Sequence, residues 1–316
     1  MGLSDDIRKS RNIKEKSLNA YLIALKKMYR IISDNENYDS SLFNNVGFLK
    51  KKNYNKIIDF LDTLKLPTRK NYLAAILVAL TANDKDNEVI KQYRNHLETI
   101  AIEYQDQIST KKKSNKLSDN WVSMVELKKI VGRYKRNIKE KKLASKDAFN
   151  NADFDLFQRF LIGSLYTLLP PVRNDYADME VISFKDYNKL KDKDNNYLVI
   201  VGKNKKFFSF GAYKTSGVYG IKMVQIPAQL NKIINTWLNY NKTGYFIISK
   251  QKKPITDNGL TKLLYKTFSE TGKNIGSTII RHIYLSEKYS DINDEKEADA
   301  EIMGHSLATQ KEYVKK

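Results

Sequence analysis

The spacing of apolar residues changes along the chain, and this change constrains the fold more than any other feature. In residues 15–33 the apolar positions, among them Leu18, Leu22 and Leu25, recur every three or four residues, as on one face of an amphipathic helix. Three later segments are short, β-rich and separated by Gly, Lys and Asn turns. These segments are residues 196–203, 206–214 and 220–227. The sequence therefore predicts a mainly α protein with a small antiparallel β-sheet, in the α+β class.

The helical patterns fall into two groups, which predict two domains. The first group covers residues 15–33, 53–64, 68–82 and 86–108, and the nearly apolar segment 68–82 is expected to be the central helix. The second group covers residues 121–140, 154–169, 228–241, 258–270, 277–290 and 295–304. Between the groups, residues 111–120 are polar, cationic and without periodicity. We therefore predict domains over 1–110 and 121–316, with 111–120 as a basic linker that is either a solvated loop or lies along a phosphate backbone.

Charge and composition narrow the classes of partner. The chain of 316 residues carries a formal net charge of +20, which favours a polyanionic partner such as nucleic acid. The alternative explanation is a lysine-rich proteome encoded by an AT-rich genome, in which the lysines form a solvated surface. There is no cysteine, which excludes disulfides, thiolate metal ligands and cysteine nucleophiles. No apolar run is long enough for a membrane span, and the first residues lack the apolar core of a signal peptide. We expect an intracellular protein without a membrane partner, a metal or another cofactor.

Five residues of the second domain form a set suited to breaking a phosphodiester without a metal. Such a reaction needs cations on the nonbridging oxygens, a nucleophile and an acid for the departing oxygen. Arginine suits the first role because its planar fork bonds two oxygens and keeps its proton. The candidates are Arg173, Lys214, Arg281, His305 and Tyr313. Each alone also has an ordinary structural explanation, such as a helix cap or a solvated lysine.

Together, the order and spacing of these residues resemble the tyrosine recombinases, or phage-type integrases. The resemblance lies in the stretches "PPVRNDY", "YKTSGVYG", "IIRH" and "MGHS", followed by a tyrosine near the end of the chain. It implies that Arg173 and Arg281 are the phosphate-binding arginines, Lys214 the β-hairpin lysine, His305 the motif histidine and Tyr313 the nucleophile. The first two stretches look most like integrases of eukaryotic DNA viruses, virophages and related mobile elements. The first domain is similar to the core-binding domain of that family.

The chain departs from the family pattern in three ways, one of which is a spacing from His305 to Tyr313 that is one residue shorter than is common. Thr278 occupies the position of the histidine in the family's His-x-x-Arg motif, which leaves the base for Tyr313 open, and His282 stands beside Arg281 as a further supporting candidate. The acidic residue that usually follows the first arginine by three positions is Tyr176 here. Asp175 or Asp178 could instead supply the carboxylate that braces an arginine.

The resemblance implies a site-specific recombinase that closes on double-stranded DNA as a C-shaped clamp. Such an enzyme cleaves and rejoins DNA through a 3′-phosphotyrosine, for integration or excision of a mobile or viral element. We expect a monomer without DNA and a homotetramer on a DNA synapse, in the nucleus or at a viral replication site of a host cell. Two alternatives stay open: a type IB topoisomerase-like enzyme, and a catalytically decayed site-specific DNA-binding protein.

Basic residues outside the set of five are candidates for contacts with DNA phosphates, which position a protein without reading sequence. These candidates are Lys50, Lys51, Lys52, Arg69, Lys70, Lys111, Lys112, Lys113, Lys203, Lys205 and Lys206.

Overall fold

The chain forms two compact units, each with its own hydrophobic core. The computed structural model describes residues 2–33, 46–83, 87–109, 113–146 and 148–303. The units are Met1–Lys112 and Lys113–Lys316. The boundary differs from the predicted linker, because part of 111–120 is a short helix of the second unit. That helix begins at Asn115, since the side chain of Ser114 accepts a hydrogen bond from the backbone N–H of Leu117.

The first unit is a helical bundle arranged around one apolar helix. Its helices are α1 (Leu3–Ser10), α2 (Glu15–Ser33), α3 (Tyr54–Asp62), α4 (Leu66–Asn83) and α5 (Asn87–Ser109). As the sequence predicted, α4 is central: it contacts the other four, and its Leu73, Ile76 and Leu80 are fully buried. The prediction missed α1, because its buried residues Leu3 and Ile7 are too few to show a periodic pattern.

The second unit surrounds a buried helix with other helices and a sheet. Its helices are α6 (Asn115–Asp119), α7 (Met124–Glu140), α8 (Asn151–Leu168), α9 (Phe184–Lys189), α10 (Ser216–Tyr219), α11 (Ala228–Tyr240), α12 (Asp257–Thr267) and α13 (Ser277–Ile302). Helix α8 contacts α7, α11 and α12 and buries residues on all sides. The sequence predicted separate helices over 277–290 and 295–304, but α13 is continuous, since no glycine or proline lies between them.

The sheet is mixed, which corrects the prediction of a purely antiparallel sheet. Its order is β1 (Glu180–Ser183), β2 (Asn196–Gly202), β3 (Lys205–Phe210) and β4 (Lys222–Gln225). The predicted strands β2, β3 and β4 pair antiparallel, whereas the unpredicted β1 pairs parallel with β2. A parallel pair needs a crossover, and here the crossover contains α9.

Both faces of the sheet are covered, which holds the segments around it in place. Leu198 and Phe208 face the main core of the second unit. Their strand neighbours Val199 and Phe207 pack on the opposite face with Tyr187 of α9. Successive side chains of a strand alternate between faces, so this pattern follows from the apolar run in each strand.

Candidate functional site

Arg173 lies on the segment that follows α8, and its backbone is anchored in the core. Helix α8 ends at Leu168, because Pro170 and Pro171 cannot continue it. The hydroxyl of buried Tyr166 then donates a hydrogen bond to the carbonyl oxygen of Arg173 at 2.7 Å. The guanidinium-bearing side chain is half-buried. The backbone is thus fixed while the side chain stays accessible.

Asn174 connects this segment to two other helices. Its Nδ2 atom donates to the carbonyl oxygen of Asp257 at 2.9 Å and to the hydroxyl of Thr261 at 2.8 Å, both on α12. The hydroxyl of Ser277, the first residue of α13, donates to Asn174 Oδ1 at 2.9 Å. Because α13 also carries Arg281, the amide of Asn174 holds together the segments that bear the two arginines.

Arg173 lies close enough to Arg281 for its positive charge to act on that guanidinium. Burial lowers the pKa of Arg281, and the positive charge of Arg173 lowers that pKa further. Asp175 acts in the opposite direction. Arginine still keeps its proton at neutral pH, so the site holds two neighbouring positive charges. Such a pair favours an anion between the two guanidinium groups.

Asp175 is the carboxylate beside the arginine pair. Burial raises the pKa of Asp175 above its ordinary value. A hydrogen bond to the backbone of Arg173, the charge of Arg173 and the charge of Arg281 oppose that rise. The side chain is half-buried, so its charge is only partly screened by water. Of the two aspartates proposed as a brace, Asp175 is therefore the one that interacts with both arginines.

The second candidate for this role, Asp178, and the tyrosine at the family's acidic position, Tyr176, lie elsewhere. Asp178 is exposed as a residue, although partial desolvation of its carboxyl, followed by the charge of Asp257, raises its pKa. No arginine contributes to that shift. Tyr176 is buried in the core, where its ring packs 5.2 Å from that of Phe208. Neither residue is placed to brace the arginines.

Lys214 is exposed in the connection between β3 and β4, as expected for a lysine in a hairpin. A buried amide ties this connection to the arginine segment. Asn196 Nδ2 donates to the carbonyl oxygens of Asp175 at 2.9 Å and Ala212 at 3.1 Å. Its Oδ1 accepts from the backbone N–H of Ala212 at 2.9 Å. Asn196 thus couples the backbone two residues before Lys214 to the backbone of Asp175.

The remaining members of the set are partly outside the described residues. Thr278 and His282 are exposed one turn apart on α13, on either side of Arg281 in sequence. His305 and Tyr313 lie outside the described residues. The structure thus brings together Arg173, Asp175 and Arg281 and links the Lys214 connection to them.

The proposal that Lys206 contacts DNA is corrected by its burial. Lys206 is 4% exposed, and its Nζ atom donates to Asn231 Oδ1 and to the carbonyl oxygen of Lys203, each at 2.9 Å. Burial lowers its pKa. An ammonium enclosed by amide and carbonyl oxygens is not available to a phosphate. Its exposed neighbours Lys203 and Lys205 remain candidates.

Some basic candidates of the first unit already have partners within the protein. Arg69 Nε donates to the carbonyl oxygen of Leu64 at 2.8 Å, and its Nη1 atom to Asp62 Oδ1 at 3.0 Å. Lys51 is exposed and pairs with Glu88 at 3.2 Å. Arg69 therefore stabilises the turn before α4, and a DNA contact from it would have to compete with these bonds.

The other basic candidates differ in their surroundings. Lys50 and Lys52 are exposed, and Lys70 Nζ lies 5.3 Å from the ring centre of Tyr104. In the second unit, Lys113 Nζ lies 3.5 Å from the ring centre of Trp121. Lys111 and Lys112 are outside the described residues.

Sequence reasoning did not find Asn174 and Asn196, although both hold the site together. Asn174 directly follows Arg173, and Asn196 begins the otherwise apolar strand β2. A polar residue at the start of a buried strand was the one available signal for Asn196. The partners of both amides are distant in sequence, so no local pattern identifies them.

No family model matches the chain, and no curated protein matches it in sequence. Among the described residues, no group of three or more His, Cys, Asp or Glu side chains is placed to hold a metal ion. In the same part of the chain, no helix has both the length and the apolar character that crossing a membrane requires.

Proposed function

We propose that this protein cleaves and rejoins duplex DNA as a tyrosine recombinase. One observation carries the proposal: the positive charge of Arg173 acts on Arg281, and the half-buried Asp175 lies beside both arginines. A phosphodiester between the guanidinium groups would offset one of their two positive charges, with Asp175 beside the other, and would accept hydrogen bonds from both. The net charge of +20 favours DNA as the source of that phosphodiester.

The proposed reaction has two reversible steps. The deprotonated phenol of Tyr313 attacks the scissile phosphorus, the bond to the 5′-oxygen breaks, and Lys214 gives that oxygen a proton. Arg173, Arg281 and His305 bind the nonbridging oxygens, where charge accumulates. The 3′-phosphotyrosine keeps the bond energy, and a 5′-hydroxyl from a partner strand reverses the step, so neither ATP nor a metal takes part.

The proposal extends to how the protein engages DNA. Both units contact one duplex as a C-shaped clamp, mostly through phosphates, while the protein is a monomer without DNA. A homotetramer assembles on two duplexes for strand exchange, which integrates or excises a mobile or viral element. Binding is expected to weaken steeply with salt, because each neutralised phosphate releases counterions.

The test is formation of a covalent protein–DNA adduct in the presence of EDTA. A pool of nicked duplexes with randomised sequence, together with duplexes from the DNA flanking the gene, is incubated with the protein and resolved on a denaturing gel. We expect an adduct in the wild type and its loss in Arg173→Ala. Salt-sensitive binding without any adduct would favour a protein that binds DNA only. Relaxation of supercoiled plasmid without strand exchange would favour a topoisomerase.

A further inference from the structure

The second unit has an open cleft next to the arginine pair. Its volume is about 610 Å³, and its walls come from α6, from α12 and from the first turns of α13. Asn174, the neighbour of Arg173, also lines it. The cleft thus shares one wall with the segment of Arg173 and another with the helix of Arg281.

The side chains that line the cleft suit a phosphate group. Lys116, Tyr265, Thr278 and His282 line it, whereas none of its lining residues is an aspartate or a glutamate. Within the described part of the chain, the side chains of Thr278 and His282 have no hydrogen-bond partner in the protein. The cleft therefore offers an ammonium, hydroxyls and an imidazole without a competing carboxylate, a combination that binds phosphate oxygens.

The wall that carries Lys116 is fixed to the rest of the second unit. The backbone N–H of Asn274 donates to Asn120 Oδ1 at 2.8 Å. Lys273 Nζ donates to the carbonyl oxygen of Trp121 at 2.6 Å. These bonds join the end of α6 to the segment before α13, so Lys116 is attached to the same framework as the arginine pair.

The cleft and the arginine pair are close neighbours along α13. Thr278 precedes Arg281 by three residues and His282 follows it by one. A helix rises about 1.5 Å per residue, so these side chains start within about 6 Å of one another along the axis of α13. Successive phosphates of one strand are about 3.4 Å apart along the duplex axis. One strand can therefore place neighbouring phosphates at both sites.

We propose that this cleft binds the DNA phosphodiester next to the one held by Arg173 and Arg281. Lys116 supplies the charge, and Thr278 and His282 supply hydrogen bonds. The inference rests on the proposed function for the identity of the ligand. It also gives a role to the two α13 side chains that flank Arg281 in sequence.

The test measures how the affinity for duplex DNA depends on salt for Lys116→Gln. Two duplexes of 30 base pairs and unrelated sequence are titrated by fluorescence anisotropy between 50 and 200 mM KCl. We expect a log–log slope about one unit shallower than in the wild type and weaker binding at the low-salt end, equally for both duplexes. Lys189→Gln is the matched control, since Lys189 is exposed on α9 and pairs with Asp186 at 3.2 Å. It should leave the slope unchanged.

The outcomes separate this inference from the proposed function. A slope unchanged in Lys116→Gln overturns the phosphate site, and weaker binding to one duplex alone overturns it in favour of base reading. A covalent adduct combined with an unchanged slope leaves the proposed function standing without this site. A reduced slope in a protein that forms no adduct supports the site but not the catalytic proposal. No binding even at 50 mM KCl overturns both.

Discussion

Ser277 donates a hydrogen bond to the side-chain oxygen of Asn174 at 2.9 Å, and this bond joins the two segments that carry the arginine pair. Asn174 directly follows Arg173, and Ser277 lies one turn before Arg281. Ser277 is buried, which protects the bond from water. The relative position of the arginines therefore depends on one amide.

We predict that Asn174→Ala lowers both stability and adduct formation. The substitution removes two donated bonds and one accepted bond, and of the three partners only Ser277 is buried. We therefore expect a loss of about 1 kcal/mol in the free energy of unfolding. Urea unfolding and the rate of adduct formation measure the two effects. Thr261→Val is the control, because it removes only one of the three bonds and should have a smaller effect on both. Equal effects in the two variants would contradict the assigned role of Asn174.

We predict that Asp175→Asn makes the protein more stable at neutral pH. Since the pKa of Asp175 is raised in the folded state, its contribution to stability is full below the unfolded pKa of about 4 and is lost as the pH rises through the folded value. Asparagine cannot ionise and avoids this loss. Urea unfolding should show a more stable variant at pH 7 and no difference below about pH 4.

Asp155→Asn is a control for which we expect the opposite change in stability at pH 7. Burial alone would raise the pKa of Asp155, but hydrogen bonds from Lys250 and Lys266 outweigh it and lower the pKa. The stability from this carboxylate is present above the unfolded pKa and is lost as the pH falls through the folded value. The variant should be less stable than the wild type at pH 7. A destabilised Asp175→Asn at pH 7 would contradict the account of the arginine site.

We predict that Lys206 has no part in DNA binding while Lys205 does. Lys206→Met should leave the salt dependence of DNA affinity unchanged, because its ammonium is enclosed. It should destabilise the protein by about 1–3 kcal/mol, because the amide oxygens of Asn231 and Asn235 lose their donor. Lys205→Gln should make the salt slope about one unit shallower at unchanged stability. Anisotropy titrations in which Lys206→Met makes the salt slope shallower and Lys205→Gln does not would contradict this prediction.

We predict that Gly211 is required where the Lys214 connection leaves β3. A Cβ atom there would lie 1.9 Å from the carbonyl oxygen of Lys193, so Gly211→Ala forces the backbone to move. Overpacking of this kind costs about 1–3 kcal/mol. Gly217→Ala lies in the same connection, within α10, and its Cβ would meet nothing within 4 Å. Urea unfolding should show a loss in the first variant and no loss in the second.

The parts of the fold that could be predicted are those with a repeated local pattern. Helices such as α2 and α7 show several turns of helical spacing, and β2 and β3 are apolar runs bounded by turns. Short elements such as α1 and β1 show too few residues for a period. The parallel pairing of β1 depends on contacts across a crossover, which local sequence does not encode.

The charged residues of the site could be predicted from the sequence, but the contacts that hold them in place could not. Arg173 and Arg281 were identified by their side-chain chemistry and by their order in the sequence. In the structure the charge of Arg173 acts on Arg281. The choice of Asp175 over Asp178 needed three-dimensional contacts, since both follow Arg173 closely in sequence. Lys206 was misjudged because it follows the exposed Lys203 and Lys205 in sequence, whereas its own side chain is buried in β3.

The most direct test of the account is to identify the residue that becomes attached to DNA. Wild-type protein and Tyr313→Phe are incubated with the nicked duplex pool, digested with trypsin and nuclease, and analysed by mass spectrometry. We predict that the wild type yields a tryptic peptide over residues 312–315 bearing a 3′-phosphonucleotide on Tyr313. The variant should form no adduct while binding DNA with unchanged salt dependence. An adduct on another residue, or one that persists in Tyr313→Phe, would contradict the proposed chemistry.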